Sequence, residues 1–211
     1  MTSSGGRFIT IEGIDGSGKS TQAAKLCGWL EDVLGPGGVL RTFEPGDWDS
    51  GPLLRRLLLE GAGITPRTEL LLFLADRAGH VDAKIRPALE KGVWVVCERY
   101  TDSTLAYQSW GRDLSFEDTR RFLDCCRFPE PDMTLLLDIE AAAAAARLEQ
   151  RGGLDRIESG GSDFMARVAG GYRELARMSP ERFEVVDAGM DAEAVAAAVR
   201  GRVGKLTWGQ R

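Results

Sequence analysis

Residues 13–20 read Gly13-Ile14-Asp15-Gly16-Ser17-Gly18-Lys19-Ser20, and the fold is decided by this octapeptide and its flanks. It fits the spacing G-x-x-x-x-G-K-[ST]. Before it, Arg7 to Glu12 (R-F-I-T-I-E) has the make-up of a short strand. After it, Ala23, Leu26, Leu30 and Val33 recur at helical spacing, which predicts a helix over Gly18 to Leu34. Strand, glycine-rich turn and helix together make a phosphate cradle. The glycines let the backbone curl until several N–H groups point at one phosphate, and the helix N-terminus adds its positive end. Lys19 is placed to neutralise the β- and γ-phosphates, and the Ser20 hydroxyl to ligate Mg²⁺. Gly13, Ile14, Asp15, Gly16, Ser17, Gly18, Lys19, Ser20 and Thr21 are the expected ATP-binding residues. There is no guanine-reading N-K-x-D, but the loop alone does not separate a kinase from an ATPase or a GTPase.

Working outward, strands are predicted at Val39 to Phe43, Val93 to Cys97, Met133 to Leu137 and Phe183 to Val186. The runs V-W-V-V-C and M-T-L-L-L are almost wholly apolar, as strands buried on both sheet faces are. Helices are predicted around Leu53 to Leu58, from Thr65 or Arg67 to Lys91, and at Ser103–Trp110, Ser115–Arg127, Ala141–Arg151, Asp163–Met178 and Asp191–Val203. Strands alternating with helices imply an α/β three-layer sandwich of the P-loop NTPase type, a five-stranded parallel sheet with helices on both faces. The expected organisation is a flexible start at 1–6, one domain over 7–205 with a mobile lid at about 147–161, and a tail at 206–211.

The chain has 211 residues, enough for one sizeable core but not two comfortable domains. A net charge of −5 argues against a nucleic-acid polymer as partner, since that would call for a basic face. Cys27, Cys97, Cys125 and Cys126 form no C-x-x-C pair, and with one histidine no zinc set is available. Cys125 and Cys126 fall in a helical pattern and are read as reduced, buried or half-buried thiols, which points to a reducing compartment. Met1 to Gly6 lacks the apolar stretch of a signal peptide, and no run reaches membrane-spanning length. A cytoplasmic protein without a membrane partner is expected.

Five segments together resemble the thymidylate kinase family in its bacterial form, over nearly the whole length. They are the loop with Asp15 inside it; Glu44-Pro45-Gly46; Leu72 to Val81 (L-F-L-A-D-R-A-G-H-V) running on to Ile85-Arg86-Pro87-Ala88-Leu89; Glu98-Arg99-Tyr100 with Ser103-Thr104-Leu105-Ala106-Tyr107-Gln108 and Gly111-Arg112; and Arg151 to Glu158 (R-G-G-L-D-R-I-E). The resemblance implies a homodimer, Mg²⁺ dependence, and phosphoryl transfer from ATP to dTMP.

It also implies roles. Phe73 and Arg77 are spaced i, i+4 and share a helix face. By itself Phe73 reads as core; in the family it stacks on thymine while Arg77 bonds the base's carbonyl edge. Glu98 and Arg99 end an apolar strand, where open α/β sheets bind ligands. Glu98 can hold a water on Mg²⁺ where the family usually has aspartate, and Arg99 can fork onto the acceptor phosphate. Gln108 or Thr104 would meet the thymine edge, Tyr107 would crowd the sugar 2′ position, and Asp15 would accept from the 3′-hydroxyl. Arg147, Arg151 and Arg156 surround the lid-like segment, with Arg151 first and Arg147 second in line to close over the γ-phosphate. The catalytic set is thus Lys19, Glu98, Arg99, Arg147 and Arg151.

Phe43 and Asp47 depart from the family's Arg-Glu-Pro-Gly-Gly-Thr, placing an acid where the acceptor phosphate should lie, with Arg55 available to compensate. Glu44-Pro45-Gly46-Asp47-Trp48 and Glu98-Arg99 also echo deoxynucleoside kinases. There Glu44 would serve as general base, because a nucleoside hydroxyl must lose a proton. A nucleotide-binding regulatory module with a dead loop is the non-enzyme reading.

Overall fold

The computed structural model describes residues 5–151 and 161–208. Five parallel strands form one sheet: β1 (Phe8–Glu12), β2 (Val39–Phe43), β3 (Trp94–Glu98), β4 (Met133–Asp138) and β5 (Phe183–Asp187). Their order across it is β2-β3-β1-β4-β5. Every residue of β1 and β3 is buried, which for β3 the near-continuous apolar run predicts. Alternate residues face opposite sides of the sheet. Ile9, Ile11, Trp94 and Val96 belong to the larger core. Phe8, Val95 and Cys97 belong to a smaller one with Val81, Ile85 and Tyr100.

The register decides where the site lies. Ile11 on β1 pairs with Glu98 on β3, so the loop leaving β1 and the Glu98-Arg99 corner leaving β3 emerge side by side. Helix α1 (Lys19–Leu34) starts directly after the glycine loop. Helices α2 (Gly51–Glu60) and α3 (Pro66–His80) follow β2.

The long helix predicted to Lys91 exists, but its ladder changes. It widens to a π-helix over Val81–Ile85 and resumes as α4 (Arg86–Glu90). Pro87 explains the break, because it has no N–H and sits in the first turn of α4, where no donor is needed. The segment after β3 begins earlier than expected, with α5 (Thr101–Thr104), and widens to a π-helix over Leu105–Gly111. Such widened turns recur at functional sites. The chain continues through α6 (Phe116–Cys126), α7 (Ala141–Arg151), α8 (Gly161–Met178) and α9 (Ala192–Trp208).

Of Leu53, Leu57 and Leu58 on α2, only Leu58 is buried, and Leu53 is 64% exposed. Two expectations need correction. The tail does not start at 206, since α9 runs to Trp208. Cys125 and Cys126 are both exposed, because α6 turns its last residues outward; Cys27 and Cys97 are the buried pair, and all four are free thiols. Residues 1–4 of the start predicted over 1–6, residues 152–160 of the predicted lid with Arg156, and the last three residues lie outside the described residues. Among the described residues no helix is long and apolar enough to cross a membrane.

Candidate active site

The phosphate loop opens into a cleft of about 960 Å³. Asp15, Gly16, Ser17, Gly18, Lys19, Ser20 and Thr21 line it. So do Glu44, Phe73, Arg77, Glu98, Arg99, Thr104, Tyr107, Gln108 and Arg147. Of the predicted site residues with described side chains, Gly13 and Ile14 alone stand back from it. Ile14 turns its side chain into the core, and both residues offer their carbonyls to Lys19. The side chain of Arg151 lies outside the described residues.

Gly16 adopts φ 81°, and a Cβ there would come within 2.4 Å of the Ala144 carbonyl on α7. Only glycine allows both the left-handed turn and this approach. Lys19 is 8% exposed, its Nζ 3.0 Å from Gly13 O and 2.8 Å from Ile14 O. Burial and the Arg99 guanidinium bring its ammonium down to about 7, against the pull of Asp15, Glu12 and Glu98.

Asp15 is not a solvated loop carboxylate. Arg99 Nη2 donates to it at 2.5 Å and the Tyr107 hydroxyl at 2.8 Å. Burial alone would raise its pKa, but Arg99, Lys19 and the Tyr107 hydroxyl outweigh burial and hold it at about 2. Arg99 itself has φ 63°, and its guanidinium lies 5.0 Å from the Tyr107 ring centre. A left-handed arginine at a strand end is strained by about 1–2 kcal/mol. The turn carries its side chain back from β3 to the phosphate loop, where its fork meets Asp15.

Ser20 Oγ donates to Glu98 Oε2 at 2.7 Å, so the two predicted metal-site residues meet although 78 positions separate them. Arg41 Nη2 donates to Glu98 Oε1 and to the Ser20 carbonyl. Arg41 went unnoticed in the sequence, and only its place on β2, paired with β3, reveals it.

At the other end of the cleft, Phe73 is half-buried and faces the cavity while its inner edge touches the core. Phe73 thus meets both the core and the cleft. Arg77 is 1% exposed. It donates from Nε to Glu44 Oε2 at 2.7 Å, from Nη1 to Thr104 Oγ1 at 2.8 Å and from Nη2 to the Tyr100 carbonyl at 2.8 Å. Each terminal nitrogen retains a second N–H. Glu44 reaches the cleft, but Arg77 holds one carboxylate oxygen and His80 Nδ1 the other, at 3.0 Å. It anchors Arg77 at the wall of the cleft.

Asp47 is likewise accommodated. It turns away from the cleft to accept from Lys84 Nζ at 2.7 Å and from Thr42 Oγ1 at 2.6 Å. Those two bonds and the Lys84 charge outweigh burial and lower its pKa. Trp48 Nε1 and the Gly46 amide both donate to Asp76 on α3, which seats the rest of this loop. Arg55 lines the cleft and bonds the Pro45 carbonyl at 2.8 Å, bringing a cation where the sequence had seemed to lose one.

The thymidylate kinase family model matches residues 11–199. The chain belongs to the thymidylate kinase family. It is 47% identical to a thymidylate kinase of Clavibacter michiganensis subsp. michiganensis, over 95% of this chain and 96% of that one. It is 46% identical to a thymidylate kinase of Solidesulfovibrio magneticus, over 94% and 99%. A crystal structure of thymidylate kinase from Ehrlichia chaffeensis superposes with a TM-score of 0.80 at 31% identity, covering 95% of this chain and 99% of that one. Membership in the family accounts for two binding ends in one cleft.

Glu12, missed in the sequence, braces the site from behind as the last residue of β1. It is fully buried and accepts from the Tyr100 amide, the Ser103 hydroxyl and the Tyr172 hydroxyl. Burial and nearby Asp102 raise its pKa. A glutamate closing an apolar strand was the only signal for it.

Proposed function

We propose that the chain transfers the γ-phosphoryl group of ATP to dTMP, giving ADP and dTDP. The observation that carries this reading is the Arg99–Asp15 pair. It stands between the phosphate loop and the Phe73–Arg77–Thr104–Gln108 end of one cleft, where a donor tail and an acceptor phosphate would meet.

The residues divide the work as follows. Loop amides and Lys19 hold the donor phosphates and neutralise charge as it shifts to the leaving oxygen. Arg99 forks onto the acceptor phosphate. Asp15 keeps Arg99 aimed and accepts from the sugar 3′-hydroxyl, and Tyr107 fills the space beside the sugar. Arg147, which lines the cleft from α7, flanks the γ-phosphate, and the role expected of Arg151 falls on a side chain outside the described residues. An acceptor phosphate oxygen is already ionised, so no base is needed. A hydroxyl and a carboxylate side by side are the hard oxygen donors that Mg²⁺ takes. Ser20 would bind it directly and Glu98 through water. When bound, it would supply charge neutralisation to the donor phosphates.

A nucleoside acceptor would instead need Glu44 as base, and the Arg77 guanidinium paired with it favours its ionised form as an anchor, making it a weaker base. ADP release measured with dTMP, with thymidine and with neither tests the choice. Release with dTMP alone is expected. Release with thymidine alone would overturn it, and none with either would favour a binding module.

Phe73→Ala should raise the KM for dTMP about tenfold, since base–aromatic stacking contributes about 1–3 kcal/mol per base, with the KM for ATP unchanged. An unaltered dTMP KM would reduce Phe73 to a core residue.

A homodimer fits the apolar side chains left outside. Leu53 and Leu57 on α2, Leu71 on α3 and Phe122 on α6 are 44–64% exposed, and α3 packs against both other helices. Such patches mark association surfaces. Light scattering should give twice the 23.0 kDa chain mass. A monomer at micromolar concentration would refute this. The reading also places the enzyme in the cytoplasm, in keeping with its free thiols; recovery from an extracytoplasmic fraction would count against it.

A further inference from the structure

Gln108 lies on the π-helical segment Leu105–Gly111 and is 1% exposed. Its Nε2 donates to Glu69 Oε1 at 2.9 Å. Its Oε1 is buried without a hydrogen-bond partner, although the residue lines the cleft. A side-chain amide can turn over, exchanging donor for acceptor, so something must fix its sense. Glu69, on the first turn of α3, does so. Arg112 Nε and Nη2 donate to its two oxygens at 3.1 and 3.3 Å, so both oxygens act as acceptors. An ionised carboxylate only accepts. The amide nitrogen must face it, which leaves the oxygen as the group offered to a ligand.

Beside it, Thr104 Oγ1 already accepts from Arg77 Nη1, so its own proton and the second Arg77 N–H are available for donation. The cleft therefore offers a donor next to an acceptor. Thymine presents the complement, a C4 carbonyl beside an N3–H. Cytosine presents the reverse, an amino group beside a bare N3.

We propose that Glu69 is a positioning residue for base selectivity, locking Gln108 as an acceptor so that a cytosine acceptor is refused. This rests on the reading that the acceptor base lies against Phe73 and Gln108. Without the lock the amide turns over and offers its NH₂ to N3 of cytosine, at the cost of one bond to thymine.

The test compares kcat/KM for dTMP and dCMP in the wild type, Glu69→Ala and Glu69→Gln. Glu69→Gln preserves volume but can face Gln108 with either end, so it decides the matter should the alanine variant fail to fold. In both variants the dTMP-to-dCMP ratio should fall at least tenfold, while the KM for ATP stays within about twofold. Rates that drop equally for both acceptors, or do not change, would leave Glu69 a structural residue and overturn the proposal. A wild type inactive on dTMP would instead defeat the acceptor assignment itself.

Discussion

Lys19→Ala is expected to lower kcat by roughly 10²–10³-fold, the loss that follows removal of one preorganised charge from a transition state. Lys19 is enclosed by the phosphate loop, and its Nζ donates to the Gly13 and Ile14 carbonyls. Burial and the neighbouring Arg99 guanidinium lower its pKa to about 7. A charge so poorly solvated acts at a low effective dielectric, so its attraction for a polyphosphate exceeds that of a surface lysine several-fold. The loss should appear in kcat as well as in ATP affinity, because negative charge moves toward the leaving oxygen during transfer. Steady-state rates at saturating ATP would check it. A kcat within threefold of wild type would mean the loop amides suffice and Lys19 only shapes the loop.

Arg99→Lys should cost about 10²-fold in kcat/KM for dTMP, while the KM for ATP moves less than about threefold. Lysine keeps the charge but not the planar fork that meets Asp15 and lies on the Tyr107 ring. It also cannot hold Asp15 from the same distance, so the sugar contact loosens with the phosphate contact. Arg99 tolerates a left-handed backbone at 63°, and lysine inherits that strain without the bonds that offset it. If dTMP kinetics were unchanged while the melting temperature fell, Arg99 would be a structural ion pair and the assignment of the acceptor phosphate would move to Arg55. That residue already lines the cleft beside Pro45.

Much of this site could be read in one dimension because its residues come as short strings. Lys19 and Ser20 close a motif whose geometry is set within eight residues. Phe73 and Arg77 share a helix face by spacing alone. Asp47 was misjudged for the opposite reason. Its partner Lys84 lies 37 positions away, and no spacing rule links them. Nor does a spacing rule join Glu44 to Arg77 and His80, 33 and 36 positions away. Arg41 and Glu69 gave no signal, since their partners Glu98 and Gln108 are 57 and 39 positions distant.

The amino-acid order alone determined the phosphate loop, the alternation of strand and helix, and the apolar runs that demand a doubly covered sheet. Each is a local property, set by the pleat's period of two, the helix's period of 3.6 and the turns open to glycine. Tertiary structure decided which ionic groups meet. Placing β3 next to β1 brings Glu98 to Ser20 and Arg99 to Asp15. A buried charge must find an opposite partner wherever the closed chain supplies one, and that choice is made by strand order and register rather than by neighbours in sequence.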